Sequence, residues 1–592
     1  MEKKRDIKGL AHYWATSPVF DLDTRNEIRN LIENGHEKEI IDRFYRDLDF
    51  GTGGLRGILG AGTSRMNIYN VRKASCALSR YLVSFFAGQK LKVALSYDSR
   101  KYSLEFARAA AEVLAGHGIQ ALITQELRPV PILSFMVRLY GCHAGICVTA
   151  SHNPPEYNGF KVYWQTGGQI VPPHDEKVMN EYSLIHDYEK IPRIPFHEGL
   201  AAGVIKEVGS ELDEEYFNRL KKWHLSKNIG DNIRIVYTPL HGTGLFPVVE
   251  SLKRMGFTDV HVVPEQRDPD SQFSTVNSPN PENPAALEKA RNLAYKVNAD
   301  LILATDPDCD RIGLEIRTGD RYFRPNGNQI GTLLNHYVLE KLSELGLLPE
   351  RALVVKTIVT TDLQNDIAQE FGAECEETLT GFKWICQLIE DYESGVLKPH
   401  RRFVCGGEES YGFLADTFVR DKDGVIACCI AAQMVLDQKV KGTDAERDLD
   451  KMFRKHGVYY ETLKDLNLPG KDGSESIQKM MAKLRKDPPL ELDGIPVTRM
   501  KDYQTSQQFQ LRGRQWELSG DLRLPSSNVL QFILADGTKV TVRPSGTEPK
   551  IKFYVSVKNV NAIGVVDLSQ IKSECEHRAI RIENYFVDMA QR

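Results

Sequence analysis

Short apolar segments and amphipathic segments alternate along most of the chain. A short apolar run is typical of a buried strand, and apolar positions that recur every three or four residues are typical of a helix. In the first part of the chain this pattern predicts strands at residues 92–97, 118–124 and 143–148, and helices at residues 103–115 and 132–140. Ser103 is expected to cap the first of these helices. Alternation of this kind indicates a largely parallel sheet covered by helices.

The same alternation begins again after a polar, proline-containing stretch at residues 185–210, and a third time near residue 320. The second run predicts strands at 233–237, 260–263 and 300–305, with helices at 245–255 and 284–297. The third run predicts strands at 352–356 and 402–404, with helices at 329–345, 363–371, 382–392 and 425–440. Residues 466–473 are rich in Gly, Asp and Leu, and we interpret them as the approach to a linker.

The C-terminal part has a different pattern. Asp536-Gly537 separates two alternating runs, 529–534 and 539–543, which predicts a β-hairpin. A strand at 551–557 and a final helix at 569–589 follow. We therefore predict the α/β fold class, with three similar mixed α/β domains and a smaller C-terminal α+β domain. The predicted domain boundaries are 1–210, 211–320, 321–460 and 490–592.

Composition narrows the class of protein. The chain has 592 residues, too many for one core, and its hydrophobic share of 41% is that of a globular protein. The net charge of −4 gives no basic excess, so we expect neither nucleic-acid nor membrane partners. The ten cysteines include no CxxC pair, which favours reduced thiols. The charged start and the lack of a long apolar run lead us to expect a soluble cytoplasmic protein.

The turn after the strand at 143–148 carries the first candidate chemistry. Ser151 and His152 stand at the end of that strand, and Pro154, Pro155 and Gly159 shape the backbone that leads to Lys161. A serine presented in this way is a candidate nucleophile or phosphate carrier. The alternative is a turn in which the serine and its neighbours only cap backbone groups.

A second candidate follows the strand at 300–305. Asp306, Asp308 and Asp310 place three carboxylates at alternate positions, which suits a hard divalent cation. An EF-hand loop is excluded, because Arg311 stands where that loop needs glycine and Arg317 where it needs glutamate. Three carboxylates leave coordination positions for water or phosphate oxygens, as expected of Mg²⁺ serving a phosphoryl group. The alternative is a solvated acidic turn.

Two further segments add to the pattern. Glu408 and Ser410 lie in a Gly-rich segment, and side chains two positions apart can together hold neighbouring hydroxyls of a sugar. Arg543 precedes Ser545, Gly546 and Thr547 in a tight loop, which offers a guanidinium, two hydroxyls and backbone N–H groups to one anion. For each segment alone, the alternative is a plain turn. Together the four segments favour an enzyme that moves a phosphoryl group on a sugar.

The four motifs TASHNPPEYNGFK, TDPDCDR, GGEESYG and RPSGTEPK, in this order and spacing, resemble those of the α-D-phosphohexomutases. The similarity spans essentially the whole chain and is greatest to the long phosphoglucomutase branch, which also contains phosphopentomutases. It implies four domains around a central cleft and a phosphoryl group carried on Ser151. It also implies Mg²⁺ bound by Asp306, Asp308, Asp310 and an oxygen of the phosphorylated Ser151.

The reaction that the resemblance implies converts glucose 1-phosphate and glucose 6-phosphate through glucose 1,6-bisphosphate, which also serves as activator. Besides Ser151, the expected catalytic residues are Lys161, His152 and Arg56. We favour Lys161 as the base and His152 as the residue that orients the loop; alternatively, Lys161 only neutralises charge. The residues expected to bind substrate are Arg311, Thr380, Lys383, Glu408, Ser410, Lys422, Arg543, Ser545, Gly546 and Thr547.

Several functions remain open at this stage. Within the family, the alternatives are a phosphopentomutase and a phosphomannomutase, although Tyr411 and Gly412 stand where bacterial phosphomannomutase-type relatives have a histidine. A sugar-bisphosphate synthase that takes phosphate from an acyl phosphate is a third. A catalytically inactive scaffold is disfavoured because Ser151, the three aspartates and Arg543 are all present. We expect a phosphosugar substrate and a monomer or weak dimer.

Overall fold

The computed structural model describes residues 5–48, 54–228, 230–468, 470–545 and 550–591. In chain order its helices are Ile7–Thr16 (α1), Leu22–Glu33 (α2), Glu37–Phe44 (α3), Ile68–Phe85 (α4), Ser103–Gly116 (α5), Val130–Leu139 (α6), His174–Leu184 (α7), Phe196–Ala201 (α8), Ser210–Leu220 (α9), Leu245–Arg254 (α10), Glu288–Val297 (α11), Gly327–Glu344 (α12), Leu363–Glu370 (α13), Phe382–Glu393 (α14), Gly424–Lys441 (α15), Ala445–His456 (α16), Gly470–Lys486 (α17) and Ser569–Gln591 (α18).

The strands follow the predicted alternation and add several that the sequence pattern missed. They are Gly54–Ile58 (β1), Lys92–Tyr97 (β2), Gln120–Thr124 (β3), Ala144–Val148 (β4), Tyr157–Trp164 (β5), Ile205–Val208 (β6), Ile235–Thr238 (β7), Val260–Val262 (β8), Leu301–Thr305 (β9), Ile312–Thr318 (β10), Arg321–Phe323 (β11), Ala352–Thr357 (β12), Glu374–Thr378 (β13), Arg402–Glu408 (β14), Gly412–Ala415 (β15), Val458–Asn467 (β16), Glu491–Leu492 (β17), Ile495–Asp502 (β18), Gln507–Arg512 (β19), Gln515–Asp521 (β20), Leu530–Leu534 (β21), Lys539–Pro544 (β22) and Lys550–Asn559 (β23).

The described residues divide into two compact units. The first comprises Met1–Arg317, Phe382–Cys405 and Ser410–Asp437, and the second comprises Thr318–Gly381, Gly406–Glu409 and Gln438–Arg592, the masked positions apart. The four predicted domain boundaries stay a prediction.

The first sheet of the first unit has the order β1-β5-β4-β2-β3-β6. Strands β2, β3, β4 and β6 are parallel, but β5 is antiparallel to both β4 and β1. The expectation of a largely parallel sheet was therefore wrong for this edge. The turn at 149–156 is too short for the crossover that a parallel neighbour requires, so the chain returns beside β4 in the opposite direction.

The second sheet of this unit repeats that arrangement. Strands β9, β7 and β8 are parallel, whereas β10 pairs with β9 in the antiparallel sense. The short turn at 306–311 joins β9 to β10, just as the turn at 149–156 joins β4 to β5. Both candidate catalytic segments are thus tight turns at the carboxyl ends of central, fully buried strands.

Two apolar clusters support the first sheet. The larger one packs the inward side chains of β2, β4 and β5 against α4 and α5, with Val93, Ile146 and Phe160 fully buried. The smaller one joins α1–α3 to α4 around Trp14, which stacks on Phe20 at a centroid distance of 4.2 Å. These clusters fix the strands whose ends carry the site.

The second unit contains the parallel pair β12 and β13 and a large C-terminal sheet. The latter has the order β16-β23-β22-β21-β18-β19-β20, with β17 beside β18. The predicted hairpin at Asp536-Gly537 is confirmed as β21 and β22, and α18 packs Phe586 against Phe553 of β23. Among the residues that the structure describes, no helix combines the length and apolar character needed to cross a bilayer.

Two local predictions were wrong, and one stretch contains elements that the sequence pattern did not predict. Ser103 does not cap α5: its hydroxyl donates to Asp98 Oδ1 at 2.7 Å, and Tyr102 stands at the cap in a left-handed conformation. The polar stretch at 185–210, for which the pattern predicted no element, contains α8 and the edge strand β6. The predicted linker approach at 466–473 contains the end of β16 and the start of α17. The pattern indicated a linker because glycines such as those of this stretch are more typical of turns than of helices.

Candidate active site

The turn at Ser151 holds the serine in a strained backbone conformation. Ser151 has φ +53°, in the left-handed region that non-glycine residues rarely occupy. Its N–H donates to Thr149 Oγ1 at 2.9 Å, and Asn153 N–H closes the turn on the Ala150 carbonyl at 3.2 Å. Gly159 of β5 allows the close approach, since a Cβ there would stand 2.5 Å from the Thr149 carbonyl oxygen. Backbone strain of this kind is concentrated at functional sites.

The hydroxyl of Ser151 points at the second turn. Ser151 Oγ donates to Asp306 Oδ2 at 2.8 Å, and it lies 3.2 Å from His152 Nδ1. Ser151 itself is almost fully buried. The structure therefore brings the predicted nucleophile into direct contact with the predicted metal-binding segment.

The three aspartates form one buried cluster. Asp306, Asp308 and Asp310 each offer a carboxylate oxygen within 4.8 Å of the others. Oδ1 of Asp308 and Oδ1 of Asp310 are buried without a hydrogen-bond partner among the described residues. Since unpartnered buried carboxylate oxygens are costly, and oxygen ligands suit hard divalent cations, the donor set fits Mg²⁺.

Backbone interactions shape this acidic turn. Asp306 Oδ1 accepts hydrogen bonds from the N–H groups of Asp310 at 3.1 Å and Arg311 at 3.0 Å, which close the turn over its first residue. Gly242 lies directly beneath, where a Cβ would stand 2.3 Å from Pro307 Cα. The adjacent Thr243 donates from both N–H and hydroxyl to the Pro307 carbonyl. The spacing of the carboxylates is therefore set by a rigid support.

Two lysines contact the aspartates. Lys161 Nζ, on β5, lies 2.7 Å from Asp308 Oδ2 and 3.5 Å from Asp310 Oδ2. Lys422 Nζ lies 3.0 Å from Asp310 Oδ2 and 3.1 Å from Asp421 Oδ1. Two predicted residues from distant parts of the first unit thus meet at one acidic cluster.

The charges shift the pKa values in opposite directions. Burial and the neighbouring carboxylates of Asp308 and Asp310 raise the pKa of Asp306 well above its usual range. Burial also acts to raise the pKa of Asp310, but Lys422, Lys161 and Arg311 outweigh it and lower that pKa. Burial acts to lower the pKa of Lys161, whereas Asp308 and Asp310 outweigh it and raise that pKa. Lys161 is therefore an ammonium ion in this arrangement.

Arginines surround the cluster. Arg56 Nη1 donates to Asn153 Oδ1 at 3.2 Å from the edge strand β1, where the residue is solvent-exposed. Partial desolvation by the surrounding protein and the charge of Arg311 lower the pKa of Arg56, whereas Asp308 acts to raise it. Arg311 pairs with Glu282 and lies 3.8 Å from Asp310 Oδ1. Their positive charges suit the phosphate of a substrate.

His152 is held neutral. Burial, followed by the charges of Arg311 and Arg56, lowers the pKa of His152 well below its usual value. A neutral imidazole can accept a hydrogen bond from the Ser151 hydroxyl. The geometry is compatible with an orienting role and with proton transfer.

Other predicted residues lie outside this cluster. In the first unit, Lys383 Nζ is 3.7 Å from Asp175 Oδ2, and Ser410 is half-buried. In the second unit, Glu408 Oε1 accepts from the Gly381 N–H at 2.9 Å, directly after Thr380. The remaining predicted residues belong to the C-terminal loop: Arg543 and Ser545 are half-buried in the second unit, and Gly546 and Thr547 lie outside the described residues.

The sequence reasoning missed three residues of the site. Arg100 donates to the carbonyls of the Ser151 turn, and Tyr163 donates to Asp421 Oδ2 at 2.9 Å, which supports the Lys422 loop. One signal was available for Arg100, because it follows β2, a parallel neighbour of β4, and the carboxyl ends of parallel strands share one edge. Nothing in the sequence indicates that Asp421 and Tyr163 meet.

Comparison with known proteins identifies the family. Residues 47–189, 214–319 and 326–454 match the models of the phosphoglucomutase/phosphomannomutase α/β/α domains I, II and III. This chain belongs to the α-D-phosphohexomutase superfamily. A phosphoglucomutase of Staphylococcus aureus strain MRSA252 is 36% identical over 538 residues, covering 90% of this chain and 93% of that protein. The phosphoglucomutase of strain USA300 is 35% identical over 541 residues, covering 90% and 94%.

Solved structures share the fold. The Paramecium phosphoprotein pp63/parafusin, a phosphoglucomutase, matches with a TM-score of 0.65 at 17% identity, over 92% of this chain and 96% of that one. A phosphoglucomutase/phosphomannomutase family protein from Burkholderia thailandensis matches with a TM-score of 0.62 at 18% identity, over 90% and 96%. The predicted fold class is confirmed, with three α/β/α domains and a β-rich C-terminal part. The chain is an enzyme of the phosphoglucomutase branch, an isomerase that works by phosphoryl transfer.

Proposed function

We propose that this enzyme interconverts glucose 1-phosphate and glucose 6-phosphate through a phosphoserine at Ser151 and glucose 1,6-bisphosphate. The observation that carries the proposal is the 2.8 Å contact between Ser151 Oγ and Asp306 Oδ2, at the edge of a buried cluster of three aspartates. A serine that attacked a carbonyl would need a base and an oxyanion hole. A serine that stores phosphate instead needs positive charge around it. The lysines and arginines of this site supply positive charge, and the carboxylates can hold a metal cation.

Asp306, Asp308 and Asp310 would hold Mg²⁺, together with an oxygen of the phosphorylated Ser151. The unpartnered Oδ1 atoms of Asp308 and Asp310 support this assignment. When bound, the ion would neutralise charge on the phosphoryl oxygens. Glucose 1,6-bisphosphate would be the reaction intermediate and the activator that reloads the serine.

The residues of the chain have distinct tasks in this reaction. Arg56 and Arg311 would offset the negative charge of the phosphoryl group during its transfer. Lys161 or His152 would move the proton of the sugar hydroxyl, and the carboxylates hold Lys161 in place. Glu408 and Ser410 would bind neighbouring sugar hydroxyls. The remaining substrate contacts are proposed for Thr380, Lys383, Lys422, Arg543, Ser545, Gly546 and Thr547.

Intact mass tests the phosphoserine. The enzyme is measured before and after incubation with glucose 1,6-bisphosphate, next to a Ser151→Ala variant. We expect the wild type to show a species heavier by one phosphoryl group in at least one of the two states, and the variant to show none. A wild type without any such species in either state contradicts the phosphoserine.

Substrate competition tests the sugar. With bisphosphate activator present, kcat/KM is compared for glucose 1-phosphate, mannose 1-phosphate and ribose 1-phosphate. We expect glucose 1-phosphate to be preferred. A preference for ribose by more than about tenfold, or about 1.4 kcal/mol in transition-state free energy, would make the enzyme a phosphopentomutase. Net formation of bisphosphate from an acyl phosphate donor would make it a sugar-bisphosphate synthase.

The setting of the enzyme is also a proposal. We infer a cytoplasmic enzyme, because its ten cysteines are all free and all but Cys375 are buried, as in proteins of reducing compartments. We further propose a monomer or weak dimer and the four domains 1–210, 211–320, 321–460 and 490–592. Sedimentation velocity over a range of concentrations distinguishes monomer from stable oligomer.

A further inference from the structure

One arginine donates hydrogen bonds to several backbone carbonyls of the Ser151 turn. Arg100 Nη2 donates to the Ser151 carbonyl at 2.5 Å and to the Asn153 carbonyl. Its Nη1 donates to the carbonyls of Pro154 at 2.8 Å and Tyr157 at 3.1 Å. A single guanidinium therefore ties four backbone carbonyls of the segment between β4 and β5.

Arg100 is itself fixed. Its side chain is fully buried, and Nε lies 3.3 Å from Asp98 Oδ2. Asp98 Oδ1 accepts from the Arg100 N–H at 2.9 Å and from the Ser103 hydroxyl. The Phe273 ring lies 4.9 Å from the guanidinium carbon. The guanidinium thus has one position, set by the end of β2 and the start of α5.

The bonds act on the strained residue. Ser151 at φ +53° is strained relative to an ordinary conformation, and such a conformation persists only where neighbouring groups determine it. Turning the Ser151 carbonyl toward Arg100 fixes the peptide plane and leaves the side chain facing Asp306. A planar fork can hold four carbonyls, whereas a lysine ammonium with three donors cannot.

We infer that Arg100 is a positioning residue for phosphoryl transfer: its guanidinium holds the Ser151 turn in the conformation that presents Oγ to Asp306. The inference rests on the proposed function at Ser151. Arg100 acts through the backbone of the turn, since its guanidinium donates to backbone carbonyls. A misplacement of about 1 Å at a reacting atom can reduce a rate about 100-fold.

The test replaces Arg100 by lysine, which keeps the charge and loses the fork. In Arg100→Lys we expect kcat to fall at least tenfold with KM for glucose 1-phosphate within about twofold of wild type, because the Arg100 side chain is fully buried and its guanidinium bonds to the backbone of the turn. In Arg100→Ala, millimolar guanidinium chloride is expected to restore part of kcat. Arg43→Lys is the control: Arg43 is half-buried and bonds to the Ala61 carbonyl and to Glu39, away from the Ser151 turn. It is expected to keep its kcat.

A second readout does not depend on turnover. Hydrogen exchange of amides in the segment 149–160, followed by mass spectrometry, is expected to speed up in Arg100→Lys and not in Arg43→Lys. Asp98→Asn, which loosens the anchor but keeps the guanidinium, serves if the lysine variant does not fold, and should give a smaller effect in the same direction. The inference would be overturned if Arg100→Lys changed neither kcat nor amide exchange, or if it raised KM without lowering kcat. A wild type that never carries phosphate contradicts the proposed function instead, while the exchange result still decides the role of Arg100.

Discussion

The ammonium nitrogen of Lys161 lies 2.7 Å from Oδ2 of Asp308, although 147 positions separate the two residues. The contact joins the second strand of the Ser151 hairpin to the acidic turn. The Asp308 carboxylate is also a candidate ligand for the metal cation. The protonation of Lys161 therefore depends on whether Asp308 interacts with the ammonium group or with the cation. With Asp308 and Asp310 beside it the pKa of Lys161 is raised, and the proposal that Lys161 acts as the base stays a prediction.

Replacing Lys161 by methionine separates the two roles. If Lys161 moves the proton, phosphoryl transfer from pre-phosphorylated Lys161→Met enzyme to glucose 1-phosphate is expected to slow by about 100-fold or more, the range of general acid–base catalysis. Rapid-quench measurement of a single turnover gives this rate directly. A near-normal rate at saturating sugar would leave Lys161 with charge neutralisation only.

The matched control is Lys73→Met. Lys73 is also buried and pairs with a carboxylate, Asp47, at 2.8 Å, but it packs over the Tyr182 ring away from the acidic turn. Its loss removes the same charge and a similar ion pair, so Lys73→Met is expected to lower stability while keeping the transfer rate. An equal slowing in both variants would point to a general structural effect.

Metal removal tests the acidic cluster. Chelation with EDTA is expected to abolish activity, and added Mg²⁺ to restore it. In Asp308→Asn the Mg²⁺ concentration for half-maximal activity should rise more than about tenfold, because even the loss of an outer-shell partner weakens metal binding 10- to 100-fold. Asp213→Asn is the control, since Asp213 is as buried but pairs with Arg128. Identical Mg²⁺ dependence of wild type and Asp308→Asn would exclude Asp308 as a ligand.

The sequence predicts the central features of this site because each is local. The serine turn and the acidic turn are short motifs at the ends of apolar strands, and their residue types indicate their chemistry. The pairing of the two turns is not local. That Ser151 meets Asp306 follows from the packing of two sheets, and the sequence reached it only through a family resemblance.

The residues that the sequence reasoning missed act through the backbone or through another side chain. Arg100 carries no motif of its own, and its role is visible only when four carbonyls converge on it. Strand β5 was missed for a related reason: it shows no polar alternation because nearly all of its residues are buried, and the prolines before it and Gly159 within it indicated only a turn. A polar–apolar alternation arises when one face of a strand is exposed to solvent. A strand that is buried on both faces therefore shows no such alternation.

The tyrosine behind Lys422 gives a further test. Tyr163 donates to Asp421 Oδ2 at 2.9 Å, and Asp421 Oδ1 accepts from both the N–H and the ammonium of Lys422. Tyr163→Phe removes one bond to the carboxylate that holds Lys422, so kcat/KM is expected to fall about fivefold, equivalent to about 1 kcal/mol. Tyr182→Phe is the control, because the buried Tyr182 hydroxyl has no hydrogen-bond partner among the described residues. Equal kinetics for Tyr163→Phe and wild type would contradict the support of Lys422.

Asp423 predicts a dependence of stability on pH. Burial raises the pKa of Asp423 to about 6, although Tyr216 donates to its carboxylate and the N–H groups of Val425 and Ile426 stabilise the charge. The folded state thus binds a proton that the unfolded chain, with a pKa near 3.8, releases. The contribution of this proton to the free energy of unfolding is fully present below about pH 4 and is lost as the pH rises through 6.

Asp423→Asn removes this titration while keeping an oxygen for the two N–H groups. Relative to wild type, the variant is expected to gain stability as the pH rises from 4 to 7, by up to about 3 kcal/mol for a shift of about two pKa units. Thermal unfolding midpoints of both proteins, compared at pH 4.5 and pH 7.5 (about one and a half units on either side of the titration), measure the change. A difference that stays constant, or that moves toward the wild type at the higher pH, would show that Asp423 is not protonated in the folded protein near pH 5.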